Sequence, residues 1–144
     1  MIMTESKGDL FQLDSSYVLV HCISKDCKMG AGIADQFRKK YPAMKPYCLS
    51  QAPAVGKAIY YDPKSGANPV FNLVTKTVYY SRPTYETLER ALSDLKRQCL
   101  AMGVEKLGMP QLGCGLDRLN WTRVRAIIRK TFQDTDMEIA VRSK

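Results

Sequence analysis

The sequence predicts an α/β domain in which one sheet is sandwiched between helices. Three observations carry that expectation. First, β-favouring runs alternate along the chain with amphipathic stretches, the ordering that produces α/β layering. Second, "YVLVHC" (17–22) is a continuous β-favouring run of the kind found in buried central strands. Third, two Gly-x-Gly elements, Gly30-Ala31-Gly32 and Gly113-Cys114-Gly115, each stand between a predicted strand and a predicted helix. At 144 residues and 16.3 kDa the chain is expected to form one compact domain over 1–144, large enough for a full hydrophobic core.

The elements follow in order. After the strand at 17–22, "GAGIADQFRKKY" (30–41) opens a helix with Ile33, Ala34 and Phe37 on one face and Arg38, Lys39 and Lys40 exposed. "KAIYYD" (57–62) and "VFNLVT" (70–75) read as two strands joined by the turn-rich "PKSGANP". The clearest helix is 84–102, where Leu88, Leu92, Leu95 and Cys99 recur at alternating steps of four and three, the spacing of one buried stripe. Pro83 and Thr84 mark its start, Glu86 complements the dipole of its first turn, and Gly103 ends it. "KLGMP" (106–110) is then a short strand. "NWTRVRAIIRKTF" (120–132) is a helix with Trp121, Val124, Ile128 and Phe132 facing inward, and "MEIAVR" (137–142) is the last strand.

Composition narrows the function classes. The formal charge of +8 and pI near 9.3 favour polyanionic partners, among them nucleic acid, nucleotides and ADP-ribose chains. No apolar run approaches the roughly 18 to 20 residues that span a bilayer, so no membrane is expected. "MIMTESKGDL" lacks the apolar stretch and cleavage site of a secretory signal. Five scattered cysteines and one histidine make neither a zinc site nor a disulfide framework. A reducing intracellular compartment, nucleus or cytoplasm, is the expected location, with no metal and no cofactor.

In an open α/β sheet, ligands sit beyond the carboxyl ends of the strands, where helix N-termini offer unpaired N–H groups to anions. The two Gly-x-Gly elements suit a two-sided cradle for a diphosphate, although each alone also reads as a turn. Neither is a dinucleotide fingerprint, since Asp35 and Arg118 stand where the third glycine would be, and neither is followed by the Gly-Lys-Ser/Thr of a P-loop. In "KGDLF" (7–11), Asp9 can accept a hydrogen bond from an exocyclic amine; it can equally be the Asp of a Gly-Asp turn. Lys76 ends an apolar strand. Asp117 precedes a helix, where a cap or a dipole role near Asn120 would be ordinary. His21 is read as ending a buried strand in a structural role, and Cys114 as a small residue between two glycines.

"KGDLF" (7–11), "HCISKDCKMGAGIADQFRKKY" (21–41), "LVTK" (73–76), "PTYETL" (83–88) and "MPQLGCGLDRLNW" (109–121) together resemble a macrodomain, an ADP-ribose-binding α/β fold. The pattern looks most like the branch of terminal ADP-ribose glycohydrolases that remove mono-ADP-ribose from carboxylate side chains. The resemblance implies a three-layer α-β-α sandwich around a mixed, mostly parallel sheet. It assigns Asp9 and the backbone of Leu10 to the adenine. It gives one side of the phosphates and the distal ribose to Gly30, Ala31, Gly32, Ile33 and Ala34. Gly113, Cys114, Gly115 and Leu116 take the other side of the diphosphate. The chemistry falls to Lys76, as a nucleophile on C1 of the distal ribose, and to Asp117, which moves protons or activates water. Where some relatives carry an aromatic residue beside the adenine, this chain has Arg142, whose guanidinium can stack on a base as well.

The resemblance implies ADP-ribose and mono-ADP-ribosylated proteins as partners of a monomeric hydrolase, with O-acetyl-ADP-ribose as a related ester. A reader module that binds without turnover is the alternative. A further alternative is a hydrolase on ADP-ribosylated RNA or DNA, held by Arg123, Arg125, Arg129 and Lys130 on one helix and residues 38–40 on another.

Overall fold

The computed structural model describes residues 1–144. Its centre is a six-stranded sheet of β1 (Ile2–Lys7), β2 (Val18–Ser24), β3 (Ala58–Tyr61), β4 (Val70–Lys76), β5 (Lys106–Met109) and β6 (Glu138–Ser143). The spatial order is β1-β6-β5-β2-β4-β3, and only β3 runs antiparallel to its neighbour. The expected mixed, mostly parallel sheet is therefore present.

Alternation along the central strands divides the side chains between two cores. Val18 and Val20 of β2, with Phe71 and Leu73 of β4, join α3 (Tyr85–Met102) and α4 (Trp121–Phe132) on one face. Leu19 and Ile23, with Val70 and Val74, join α1 (Gly32–Lys40) and α2 (Met44–Ser50) on the other. Both faces of β2 and β4 are thus covered, which is why these strands read as nearly unbroken apolar runs.

The long helix obeys its sequence signals. Thr84 Oγ1 accepts from Thr87 N–H at 3.0 Å, Thr87 Oγ1 accepts from Thr84 N–H at 3.0 Å, and Gly103 closes the helix at φ 73°. Leu88, Leu92, Leu95 and Cys99 are fully buried.

Four features depart from the sequence reading. β1 is an added edge strand, and its outer position leaves Ile2 63% exposed, so no apolar pattern marks it. α2 was not expected; its Pro46 is tolerated because the first-turn N–H groups have no intrahelical partner. Trp121 is only half-buried, since its indole N–H reaches Glu5 of β1 at 2.8 Å. His21 does not end its strand, which continues to Ser24.

His21 is wholly buried and stacked on Phe37 with ring centroids 4.0 Å apart. Asn72 donates to Ile59 O at 3.2 Å, which turns its amide oxygen towards His21 Nε2 at 2.6 Å. The imidazole therefore carries its proton on Nε2 as the donor to Asn72, and burial drives its pKa down to about 4. An unfolded histidine takes up its proton near pH 6.5, whereas this one stays neutral until about pH 4. Stability is accordingly full above pH 6.5 and falls by about 3 kcal/mol as the pH drops towards 4. The chain has a single histidine, so one imidazole proton resonance reports it. A titration midpoint near 6.5 in the folded protein would refute this.

Candidate active site

Because five of the six strands are parallel, their carboxyl ends lie along one edge of the sheet. The segments that follow those ends line a cavity of about 1290 Å³: residues 8–10 after β1, the β2–α1 loop, 79–82 after β4, 110–118 after β5, and 142–144 at the end of β6. This is the edge at which open α/β sheets bind ligands. Its lining cations are Lys28, Lys76, Arg82, Arg118, Arg142 and Lys144, against the carboxylates of Asp9 and Asp117. Such a wall attracts an anionic ligand.

Lys76, the last residue of β4, and Asp117, in the loop after β5, meet across the end of β2. Lys76 Nζ lies 2.6 Å from Asp117 Oδ1, and the two side chains are 14% and 18% exposed. The loop that carries Asp117 is held by its own backbone. Leu119 N–H donates to Gly113 O at 2.8 Å, and Arg118 N–H to Gly115 O at 3.1 Å. Gly113 adopts φ 70°, where any other residue is strained, and a Cβ there would stand 2.7 Å from Leu119 Cδ1 and push that side chain aside. Asn120 caps α4 by accepting from Arg123 N–H at 3.3 Å, and its own N–H donates to Tyr85 Oη at 3.0 Å. With the cap supplied by Asn120, the Asp117 carboxylate is directed to Lys76.

On the other side, α1 begins at Gly32 with φ 61°, and its N-cap Ala31 has no side chain able to accept a hydrogen bond. The first-turn N–H groups are therefore open to an anion. Leu116 Cδ1 lies 3.5 Å from the position a Gly32 Cβ would take, so the two glycine loops touch and roof the cleft between them. At the far end, Asp9 Oδ1 accepts from Phe11 N–H at 2.9 Å and caps the short 3-10 helix Leu10–Gln12. Arg142 lies beside Gly8 and donates to Ser6 Oγ, which puts it at the same end of the cleft as Asp9.

All the residues that the resemblance assigned to ADP-ribose and its chemistry therefore border one cavity, with Lys76 and Asp117 in contact, whereas His21 and the basic residues of α1 and α4 lie outside it. Sequence reasoning passed over Lys28, the 79–82 turn, Arg118 and the terminal residues Ser143 and Lys144, which border it too. Their signal was position alone, since each stands at or beyond the end of a parallel strand.

Two other chemistries are weak here. Cys22 and Cys114 border the cavity, but burial pushes their thiols up to about 12 and about 11, far from thiolates at neutral pH. The basic runs on α1 and α4 lie on opposite faces of the sheet and are mostly engaged. Arg123 stacks on Tyr85, Arg125 pairs with Glu5 at 3.0 Å, Arg38 and Lys39 pair with Asp35, and Lys40 lies over Phe11. They form no continuous track for a nucleic-acid strand.

An α-β-α layered domain with a cation-lined cleft along the carboxyl edge, roofed by two glycine loops, defines a receptor for an extended anionic ligand. Comparison with known proteins makes the class specific. The chain belongs to the Macro domain family, whose profile matches residues 20–128. It is 43% identical over 139 residues to the ADP-ribose glycohydrolase OARD1 of Bos taurus, covering 96% of this chain and 90% of that protein. A DNA ADP-ribosyl glycohydrolase of Mycobacterium tuberculosis is 28% identical over 138 residues, covering 92% of this chain and 39% of that protein. The solved macrodomain of Mycobacterium tuberculosis DarG superimposes with a TM-score of 0.89 at 26% identity, covering 98% of this chain and 97% of the other.

Proposed function

We propose that this protein is an ADP-ribosyl glycohydrolase that removes mono-ADP-ribose from Glu and Asp side chains of modified proteins. The observation that carries the proposal is the Lys76–Asp117 contact of 2.6 Å at the carboxyl end of β4, inside the cleft. The names of the relatives support the same reaction class. Four inter-strand steps separate β1 from β4, roughly 19 Å at the usual strand spacing, which suits an extended two-sugar diphosphate.

In this reading the adenine lies between Asp9 and Arg142, and the diphosphate between 30–34 and 113–116. Asp117 accepts the proton that leaves the Lys76 amine. The freed lone pair attacks C1 of the distal ribose, the C1–O bond to the protein carboxylate breaks, and the carboxylate departs with the electron pair. The new ammonium centre loses a proton to solvent, and as the glycosylamine opens to a Schiff base Asp117 passes its own proton to the ring oxygen and regains its carboxylate form. Water, deprotonated by Asp117, adds to the carbon, and the amine leaves, so that one water is consumed and ADP-ribose and Lys76 are released. O-acetyl-ADP-ribose presents the same kind of ester and is a second expected substrate. The likeness to DNA ADP-ribosyl glycohydrolases supports nucleic acid as a further acceptor class.

The test is incubation with a protein carrying ADP-ribose on Glu and Asp residues. Free ADP-ribose should appear and the label on the protein should disappear. Tight binding of ADP-ribose with no release would make the chain a reader and overturn the proposal.

A further inference from the structure

Tyr85 opens α3, yet its side chain acts on α4. Its hydroxyl oxygen accepts from Asn120 N–H at 3.0 Å, and the Arg123 guanidinium lies over its ring, 3.8 Å from the ring centre. The start of α4 is thus clasped at two points, because Asn120 is the cap and Arg123 N–H is the donor that the cap accepts. Tyr85 is not free to follow α4. It is the first residue of a helix whose start is fixed by the Thr84–Thr87 capping box and whose Leu88 and Leu92 are fully buried. The Tyr85 side chain is itself half-buried against that core.

Asn120 lies three residues past Asp117, and the chain between them is strained. Arg118 adopts φ 61°, a left-handed conformation uncommon for residues other than glycine. Such a residue persists only where its surroundings over-determine it. The bonds from Arg118 N–H to Gly115 O and from Leu119 N–H to Gly113 O shape the loop from within but tie it to nothing else. From Gly113 to Asn120, two hydrogen bonds reach beyond the 110–118 loop and α4. One is the Lys76–Asp117 contact, and the other runs from Asn120 N–H to Tyr85. Without the second, Arg118 can relax towards an ordinary conformation and carry the Asp117 carboxylate away from Lys76.

We propose that Tyr85, which lies outside the cavity, is a positioning residue for the reaction: its hydroxyl fixes the far end of the loop and so holds Asp117 against Lys76. The inference rests on the glycohydrolase reading above. The diphosphate side of the loop, 113–116, is held separately, by the Gly113–Leu119 bond and by Leu116 against Gly32. Tyr85 therefore acts on the rate and not on affinity.

The test is Tyr85→Phe, which removes the acceptor and keeps the ring under Arg123. Single-turnover release of ADP-ribose from a protein modified on Glu should fall by about ten- to a hundredfold, with ADP-ribose affinity within about threefold of wild type. In the Asp117→Ala background the same substitution should cost less than about twofold, because a residue that acts through Asp117 has nothing left to position. Gly103→Ala is the control for stability. It forces alanine to φ 73° at the opposite end of α3, with open space around the new Cβ, so it should lower the melting temperature and leave release unchanged. The role is refuted if Tyr85→Phe releases ADP-ribose at the wild-type rate, if affinity falls along with the rate, or if its loss multiplies with that of Asp117→Ala. It is refuted equally if Gly103→Ala slows release as much at the same melting temperature. A wild type that releases no ADP-ribose removes the glycohydrolase reading, and this role with it.

Discussion

Lys76→Ala is expected to lower ADP-ribose release by about a thousandfold or more while leaving ADP-ribose affinity within about threefold. The two effects separate because different parts of the cleft carry them. In the proposed reading, affinity comes from backbone N–H groups at the start of α1, from the 113–116 loop and from Asp9, and not from the Lys76 side chain. Release, in the proposed mechanism, begins with the Lys76 lone pair, and no neighbouring group replaces it. The thiols of Cys22 and Cys114 are held protonated by burial, and His21 lies outside the cavity. Lys76→Arg sharpens the test, since it keeps a cation opposite Asp117 but supplies no nucleophilic amine. If the ion pair served only to tie the 110–118 loop to β4, Arg would restore activity and Ala would weaken binding. Single-turnover release from a modified protein, with calorimetric titration of ADP-ribose on the same samples, separates the two cases.

Much of this site was legible in the sequence because its parts are local. Each Gly-x-Gly pair sits at a strand-to-helix junction, and that junction alone puts backbone N–H groups at the carboxyl edge. Asn120 is a capping residue three positions past Asp117, which frees the carboxylate from the helix role that the sequence left open for it. What was not legible is adjacency. Lys76 and Asp117 are 41 residues apart and meet because β5, β2 and β4 are consecutive in the sheet, an order no periodicity encodes. The resemblance to a family supplied that pairing in advance, and no spacing argument did. Elements whose stability is tertiary were also missed. β1 has no buried face of its own to pattern, and α2 carries a proline where helix signals forbid one only in the interior. The 79–82 turn read as a gap between a strand and a helix, since exposed tyrosines next to a cleft have no sequence signature.

Asp117→Ala is expected to slow net release by about a hundred- to ten-thousandfold, the usual worth of a positioned acid–base group, and to leave a covalent trace that Lys76→Ala cannot. Two steps in the mechanism use the carboxylate: it takes the proton from the Lys76 amine and later deprotonates the attacking water. Bulk base can replace the first role slowly, because Lys76 retains 14% exposure to solvent. The second role needs a base placed against a water molecule beside the sugar carbon, which bulk solvent supplies less well. The adduct between Lys76 and ADP-ribose should therefore form and then persist. Intact-protein mass spectrometry after mixing with modified protein should show a species heavier by one ADP-ribose, and peptide mapping should place it on Lys76. Asp117→Asn keeps a hydrogen-bonding group opposite Lys76 but cannot accept a proton at neutral pH. If Asn restores most of the rate, Asp117 only positions the lysine. If Asn behaves as Ala does, the carboxylate acts as a base. Absence of any adduct in both variants, with turnover intact, would remove Lys76 as the nucleophile and leave the pair a structural tie between β4 and the loop after β5.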